Sequence, residues 1–252
     1  MAAEQTNEAK TSEKTPAETT VMDRLRVETR PLHEEAENHP FQKAFASGQA
    51  PKSQYINYLS QMYLVHATLE TALTDAAEST PAIAAVAHER QFQAANLETD
   101  LEYLGVADAD TIETLPATRR LLDAIDEIAE LDPASLLGLH YVLEGSKNGA
   151  KFLARVIGKA YGLTPGPGLR YLDPHGDEQR PLWIRFRTDM AAVPMTDAQE
   201  DRIVLAAETM FRGMIEIFDD LDALANEAHA PIIETAAIQA NTTTGAAPTT
   251  TG

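Results

Sequence analysis

The sequence has no cysteine, few cations and no long apolar run, and each absence argues against a class of protein. Without cysteine among its 252 residues, the chain can form no disulfide, thiolate metal site or cysteine nucleophile, which fits a reducing compartment. Lysine and arginine number 20 against 39 acidic residues, a formal net charge of −19 that should repel nucleic-acid phosphates. No stretch reaches the roughly 18 apolar residues expected of a membrane span. We therefore expect a cytoplasmic protein that binds neither nucleic acid nor membrane.

Both ends of the chain differ in composition from its middle. Residues 1–20 are mostly small, polar and acidic, and residues 237–252 are rich in Thr, Ala and Gly, so neither end can bury enough apolar surface to offset the entropy of ordering. We expect two disordered tails, the first of which also lacks the charged-then-apolar layout of a secretory signal. With 44% hydrophobic residues in the chain, residues 21–236 are expected to form one folded domain.

Apolar residues in that domain recur every three or four positions, as they do from Ile56 to Leu73. This spacing predicts one long helix that begins after Pro51 and ends before Pro81. The same pattern predicts helices near 22–37, 41–47, 82–103, 117–130, 133–161, 181–192 and 196–228, with an irregular loop over 162–180. Because no alternating β-branched run is bounded by turn residues, the predicted fold class is all-α.

A histidine and a carboxylate near the start of the domain suggest chemistry. His33 and Glu37 are four residues apart, so they share one helix face, where the carboxylate can orient the imidazole of a metal-binding histidine. Arg26, seven residues before His33, returns to nearly the same face and would place a cation beside an anionic ligand. Pro31 should kink this helix. The alternative is a charged surface helix without a ligand.

Two glycines, Gly145 and Gly149, interrupt an otherwise strong helical pattern. Each costs about 0.5–1 kcal/mol relative to alanine. The bare stripe that they form could admit a closely packed helix or a flat ligand, and a kink or π-bulge could bring its backbone nearer to that ligand. Spacing alone leaves these alternatives open. Sequence motifs for a P-loop, a serine hydrolase, a zinc protease or a di-iron helix pair are missing.

Two segments carry a resemblance to a known family. LRVETRPLHEEAENHPFQKAFASGQAPKSQYINYLSQMYLVHATLE and HYVLEGSKNGAKFLARVIGKAYGL resemble the proximal and distal helix segments of haem oxygenases, especially the bacterial biliverdin-producing type, and the similarity runs over roughly 21–222. The resemblance implies a single-domain multihelical bundle that holds its ligand between a proximal helix and a kinked distal helix.

The resemblance also implies roles for individual residues. His33 would be the axial ligand of haem iron, with Glu37 as its hydrogen-bonding partner, while Arg26 and Arg187 would meet the haem propionates. The remaining implied residues line the pocket: Phe211 and Phe218 as apolar neighbours, Gly145 and Gly149 as the distal glycines, and Ser146 and Asn148 as supports of the distal water network. Ser146 stands where vertebrate-type members carry Asp.

The function implied by the resemblance is oxidative cleavage of haem, as both cofactor and substrate, to biliverdin, CO and ferrous iron. The reaction would use O₂ and electrons from a separate ferredoxin or reductase, and a basic patch at Arg26, Arg30 and Arg187 could attract an acidic donor. Two alternatives remain: a haem-binding or storage protein on the same fold that has lost turnover, and a helical scaffold without cofactor. The net charge of −19 suits either adaptation to high salt or simple solubility.

Overall fold

The computed structural model describes residues 20–226, so nearly all of the two predicted tails, together with residues 227–236 of the predicted domain, lies outside the described residues. This part of the chain folds into ten α-helices joined by short 3-10 turns and loops, and it contains no strand. The all-α prediction is therefore confirmed. The helices are α1 (Val21–Glu28), α2 (Arg30–Asn38), α3 (Pro40–Ala46), α4 (Lys52–Ala77), α5 (Pro81–Val86), α6 (Ala94–Leu104), α7 (Pro116–Leu131), α8 (Leu136–Tyr161), α9 (Gln179–Ala192) and α10 (Asp197–Asn226).

The longest helices form the centre of the bundle. Helix α10 packs against α8 and α7, and α4 packs against α7 and α6. The apolar stripe of α4 that the sequence predicts is buried, with Leu59, Met62 and Leu73 fully enclosed. Helices α2 and α8 both lie against α10, which therefore supports the two segments singled out by the sequence. No helix within residues 20–226 is both long and apolar enough to cross a membrane.

The first predicted helix is divided in two at Thr29. Its side-chain hydroxyl donates to the carbonyl of Leu25 at 2.6 Å, while Pro31, near the start of α2, has no N–H with which to continue the ladder from α1. The kink expected at the proline is thus a boundary between α1 and α2. His33 lies in the first turns of α2 and not in the middle of a longer helix.

The single helix predicted over 82–103 is wrong, because α5 ends at Val86 and α6 begins only at Ala94. The buried Glu70 of α4 accepts hydrogen bonds from the backbone N–H groups of Gln93 at 2.5 Å and Ala94 at 3.1 Å. A carboxylate at this position caps the start of α6 and favours a new helix there. This contact joins residues far apart in sequence, and helical periodicity does not report it.

The predicted loop after α8 is confirmed, and the core holds it at several points. The carboxylate of Asp100, fully buried in α6, accepts the backbone N–H groups of Gly168, Arg170 and Tyr171 at 2.6–3.1 Å. The hydroxyl of Tyr55 donates to the carbonyl of Gly168 at 2.9 Å. The loop is thereby fixed to α4 and α6.

Candidate functional site

The imidazole of His33 is open to solvent, although α2 itself is held against the bundle. Its side chain is 54% exposed, and its ring meets the edge of Phe211 in α10 with centroids 5.8 Å apart. Nδ1 lies 3.7 Å from Oε2 of Glu37, too long for a good direct hydrogen bond but close enough for the carboxylate charge to act on the ring. Because no group in residues 20–226 hydrogen-bonds the ring, Nε2 remains available to an external ligand.

The two predicted glycines of α8 are not closely packed against the backbone of a neighbouring helix. A Cβ atom added at Gly149 would meet nothing within 4 Å, and one at Gly145 would meet only Cη2 of Trp183 at 3.6 Å. At Gly138, by contrast, an added Cβ would lie 2.0 Å from the carbonyl oxygen of Ile203. Close helix packing therefore requires Gly138, which the sequence analysis missed, and leaves the other two glycines free for a ligand. Helix α8 is α-helical throughout, without a π-helical turn.

Two polar side chains lie beside these glycines and bond to their own helix. The hydroxyl of Ser146 donates to the carbonyl of Leu143 at 2.8 Å, and the amide of Asn148 donates to the carbonyl of Gly145 at 3.0 Å. Both residues are exposed. Their remaining acceptor atoms are therefore available to solvent molecules on the open face of α8.

Arg26 of α1 and Arg187 of α9 are brought into the same region. Burial raises the pKa of the Tyr141 phenol in α8, and the nearby charges of Arg187 and Arg26 partly oppose this rise. Arg187 is exposed and has no salt bridge within residues 20–226, while the guanidinium of Arg26 comes only to 3.9 Å from Asp23. The two cations together can bind anionic groups of a ligand.

Arg30, which the sequence analysis grouped with them, is already paired. Its Nε lies 2.7 Å from Oε1 of Glu34, and this hydrogen bond raises the pKa of Arg30. The positive charge available to a ligand in this region is therefore mainly that of Arg26 and Arg187.

The two predicted pocket phenylalanines occupy different surroundings. Phe211 is nearly buried and contacts His33, so it belongs to the candidate site. Phe218, seven residues later in α10, stacks on Phe41 with ring centroids 5.2 Å apart and also contacts His39. It is part of an aromatic core behind α2 and α3.

Trp183 of α9 is a contact of the site that the sequence analysis missed. Its ring is the nearest neighbour of the open space at Gly145 and lies 5.9 Å from the ring of Tyr141. It is the only tryptophan of the chain, a residue type that often lines ligand sites, but no sequence spacing links it to α8.

A buried polar cluster lies behind the glycines and was also missed. We call it the back-face cluster, and it consists of His66, Glu70, Gln91, His140, Glu144 and Lys147, all of them buried. Burial and the charge of Lys147 lower the pKa of His140 well below its ordinary value, and burial raises the pKa of Glu144. The signal in the sequence was the four-residue spacing of His66 and Glu70 and the three-residue spacing of Glu144 and Lys147.

Comparison with known proteins gives concordant results. The family model described as "Heme oxygenase" matches residues 19–220. The heme oxygenase of Pyropia yezoensis is 28% identical over 207 residues, which cover 81% of this chain and 87% of the relative. The crystal structure of heme oxygenase-2 from Synechocystis sp. PCC 6803 in complex with heme and NO is 25% identical with a TM-score of 0.78, covering 84% of this chain and 89% of that one. Heme oxygenase-1 of the same cyanobacterium, in complex with heme, shares the fold at 22% identity and a TM-score of 0.77, covering 83% of this chain and 95% of that one.

Proposed function

Because the chain belongs to the haem oxygenase family, we propose that it cleaves haem oxidatively to biliverdin, CO and ferrous iron, using O₂ and electrons from outside the protein. The observation that carries this proposal is the pairing of an unengaged histidine on α2 with an open glycine face on α8, both supported by α10. When bound, haem supplies both the iron at which O₂ reacts and the porphyrin carbon that is oxidised.

The α2 side of the site suits an axial ligand. Nε2 of His33 is free to bind iron, and the carboxylate of Glu37, 3.7 Å from Nδ1, favours a proton on that nitrogen, which sets the tautomer that binding requires. The edge of Phe211 restricts the ring of His33. Glu37 and Phe211 together orient the imidazole.

The cations and the glycines could bind those parts of a flat, dianionic ligand that His33 does not contact. Arg26 and Arg187 can bind its carboxylates by charge-assisted hydrogen bonds. The bare backbone at Gly145 and Gly149 lets α8 approach its face, while Ser146 and Asn148 can hold water molecules there through their free acceptor atoms. The distal face then offers backbone and water in place of a strong side-chain acid.

A non-catalytic haem-binding or storage protein on the same fold is the second candidate. It is favoured by Ser146, whose hydroxyl bonds to the carbonyl of Leu143 in its own helix, where vertebrate-type members carry Asp. A serine hydroxyl donates one proton and carries no charge, so it organises water less strongly than a carboxylate does.

An absorption titration with haemin, followed by reduction in air, tests the proposal. We expect wild-type protein to give a Soret band that decays into a biliverdin spectrum when ascorbate or ferredoxin supplies electrons. The His33→Ala variant should lose the wild-type spectrum, since it lacks the axial ligand, whereas the control His88→Ala should retain it. A His33-dependent band that persists during reduction would support the storage protein, and the absence of saturable binding would refute both candidates.

The electron donor and the cellular location of the protein are also part of the proposal. We infer that the electrons come from a separate ferredoxin or reductase, because the sequence contains no flavin or iron–sulfur motif. A cytoplasmic location follows from the cysteine-free composition as a prediction.

A further inference from the structure

We propose that Lys147 is a positioning residue that sets the rotation of α8 about its axis and thereby the placement of Gly145 and Gly149 over the ligand. This inference deepens the proposed function and rests on it. It is carried by a buried ion pair on the opposite side of α8 from the two glycines.

The buried ion pair lies within α8 itself. The side chains of Lys147 and Glu144 are each only 3% exposed and form an ion pair. The ammonium of Lys147 also donates to the backbone carbonyl of Gln91 at 2.5 Å. A lysine that is fully enclosed and bonded in this way is unusual, because burying a charge costs far more than leaving it in water.

Gln91 attaches to α8 at two levels. Besides the carbonyl that accepts from Lys147, its side-chain Oε1 lies 3.1 Å from Nε2 of His140 and accepts the backbone N–H of His88 at 2.7 Å. His140 and Lys147 are seven residues, or about two helical turns, apart. Two attachments on one face of a helix resist its rotation as well as its translation.

The segment that bears Gln91 is itself anchored to α4. Glu70 accepts the N–H groups of Gln93 and Ala94 and lies 3.0 Å from Nδ1 of His66. The connection between α5 and α6 is therefore held on both sides, by α4 and by α8. The carbonyl of Gln91 therefore offers Lys147 a hydrogen-bond acceptor whose position is fixed.

The opposite face of α8 offers little to hold it in place. At 100° per residue, Lys147 lies about 200° around the helix from Gly145. Gly149 has no neighbour that an added Cβ would meet, and Gly145 has only Trp183. Since the glycine face lacks packing, the orientation of this part of α8 depends on its contacts with α10 and on the back-face cluster.

An ion pair of this kind contributes more to orientation than to stability. Replacing both members of a buried pair with apolar side chains is often neutral or stabilising, whereas removing one leaves an uncompensated buried charge. The two effects can therefore be separated by mutation. We expect a double variant to stay folded while it removes the directional bonds of Lys147, including the one to the carbonyl of Gln91.

The test compares Lys147→Met, the double variant Glu144→Leu/Lys147→Met, and the control Lys159→Met, which alters an exposed lysine of the same helix. In the haem-free protein, amide hydrogen exchange within 145–150 should accelerate about tenfold or more in the first two variants, because charged hydrogen bonds that hold this turn are lost. Exchange in α10 should not change. The control should behave as wild type throughout.

Haem placement supplies the second readout. With haem bound, both Lys147 variants should retain a Soret band that depends on His33, while the circular dichroism of that band and the ratio of biliverdin isomers should differ from wild type. If the Lys147→Met variant does not fold, the measurements on the double variant alone test the inference. Wild-type exchange, dichroism and isomer ratio in the double variant would overturn the inference. If wild-type protein forms no biliverdin, the proposed function fails, yet exchange and dichroism still test the role of Lys147.

Discussion

At the scale of single residues, Gly149 destabilises its helix relative to alanine, and the packing of the folded chain does not require a glycine there. Glycine within a helix is less favourable than alanine, and the space above Gly149 would admit a methyl group without contact. Gly138 in the same helix is different, since its hydrogen lies against the backbone of Ile203 in α10. Replacement by alanine should therefore have opposite effects on the free energy of unfolding at the two positions.

Gly149→Ala should raise the free energy of unfolding of the haem-free protein by about 0.5–1 kcal/mol, while weakening haem binding because the added methyl group occupies the ligand face. Gly138→Ala should lower the free energy of unfolding by about 1–3 kcal/mol, since the helices must move apart. Urea denaturation and haemin titration measure both. A less stable haem-free Gly149→Ala protein would show that the glycine serves the fold and not the ligand.

His140 couples stability to pH. Burial and the charge of Lys147 hold its pKa well below 6.5 in the folded state, whereas the unfolded chain takes up a proton near pH 6.5. The unfolded state thus binds more protons as the pH falls below that value, and stability is lost on acidification.

Between pH 7 and pH 5 we expect the free energy of unfolding to decrease, with a contribution from His140 of at most about 1.4 kcal/mol per pH unit. Its slope against pH, obtained from urea midpoints, should be shallower in His140→Gln. An unchanged slope in His140→Gln would mean that the imidazole takes up its proton over the same pH range in the folded and unfolded states.

At the scale of elements, one buried carboxylate makes three of the bonds that hold the loop between α8 and α9. Asp100 accepts three backbone N–H groups of the loop, and these donors would otherwise be left without partners in the interior. The bonds join α6 to the chain that leads into α9, which carries Trp183 and Arg187. The loop therefore helps to place one wall of the candidate site.

Asp100→Asn should lower the free energy of unfolding by about 1–3 kcal/mol, because an amide has one fewer acceptor oxygen for the three donors. Trypsin should also cut the native protein faster after Arg170. The matched control is Asp177→Asn, whose fully exposed carboxylate pairs with Lys151 and whose loss should leave stability nearly unchanged. Equal tryptic cleavage in the two variants would assign the order of the loop to other contacts.

At the scale of the whole molecule, the charge is strongly negative but unevenly placed. The chain carries a formal charge of −19, yet the candidate site presents two exposed cations, Arg187 and an Arg26 that is only loosely paired with Asp23 at 3.9 Å. A local positive region on an acidic protein can still attract an acidic partner at short range, and salt screens such attraction. The proposed electron donor would experience this field.

The rate of haem reduction by an acidic ferredoxin should therefore fall as ionic strength rises from about 0.05 to 0.5 M, where the Debye length shortens to a few ångströms. Stopped-flow absorbance measures the rate. Arg187→Gln should flatten the salt dependence, whereas Arg187→Lys, which keeps the positive charge, should not. A rate independent of salt in the wild-type protein would exclude electrostatic docking here.

The sequence by itself determined the all-α fold and the shared helix face of His33 and Glu37. Both depend on spacings of three to four residues, which every helix converts into a common face regardless of the rest of the chain. The glycine pair in α8 was visible for the same reason. The sequence left its purpose open between close packing and a ligand.

Only the tertiary structure decided the remaining features. It divided the predicted helix over 82–103 through the carboxylate of Glu70, brought Arg26 and Arg187 together, and assigned close packing to Gly138 in place of Gly145 and Gly149. Each of these depends on contacts between residues far apart in the chain. Local periodicity contains no information about such contacts, because a hydrogen bond or a steric gap between two helices exists only once the helices have packed.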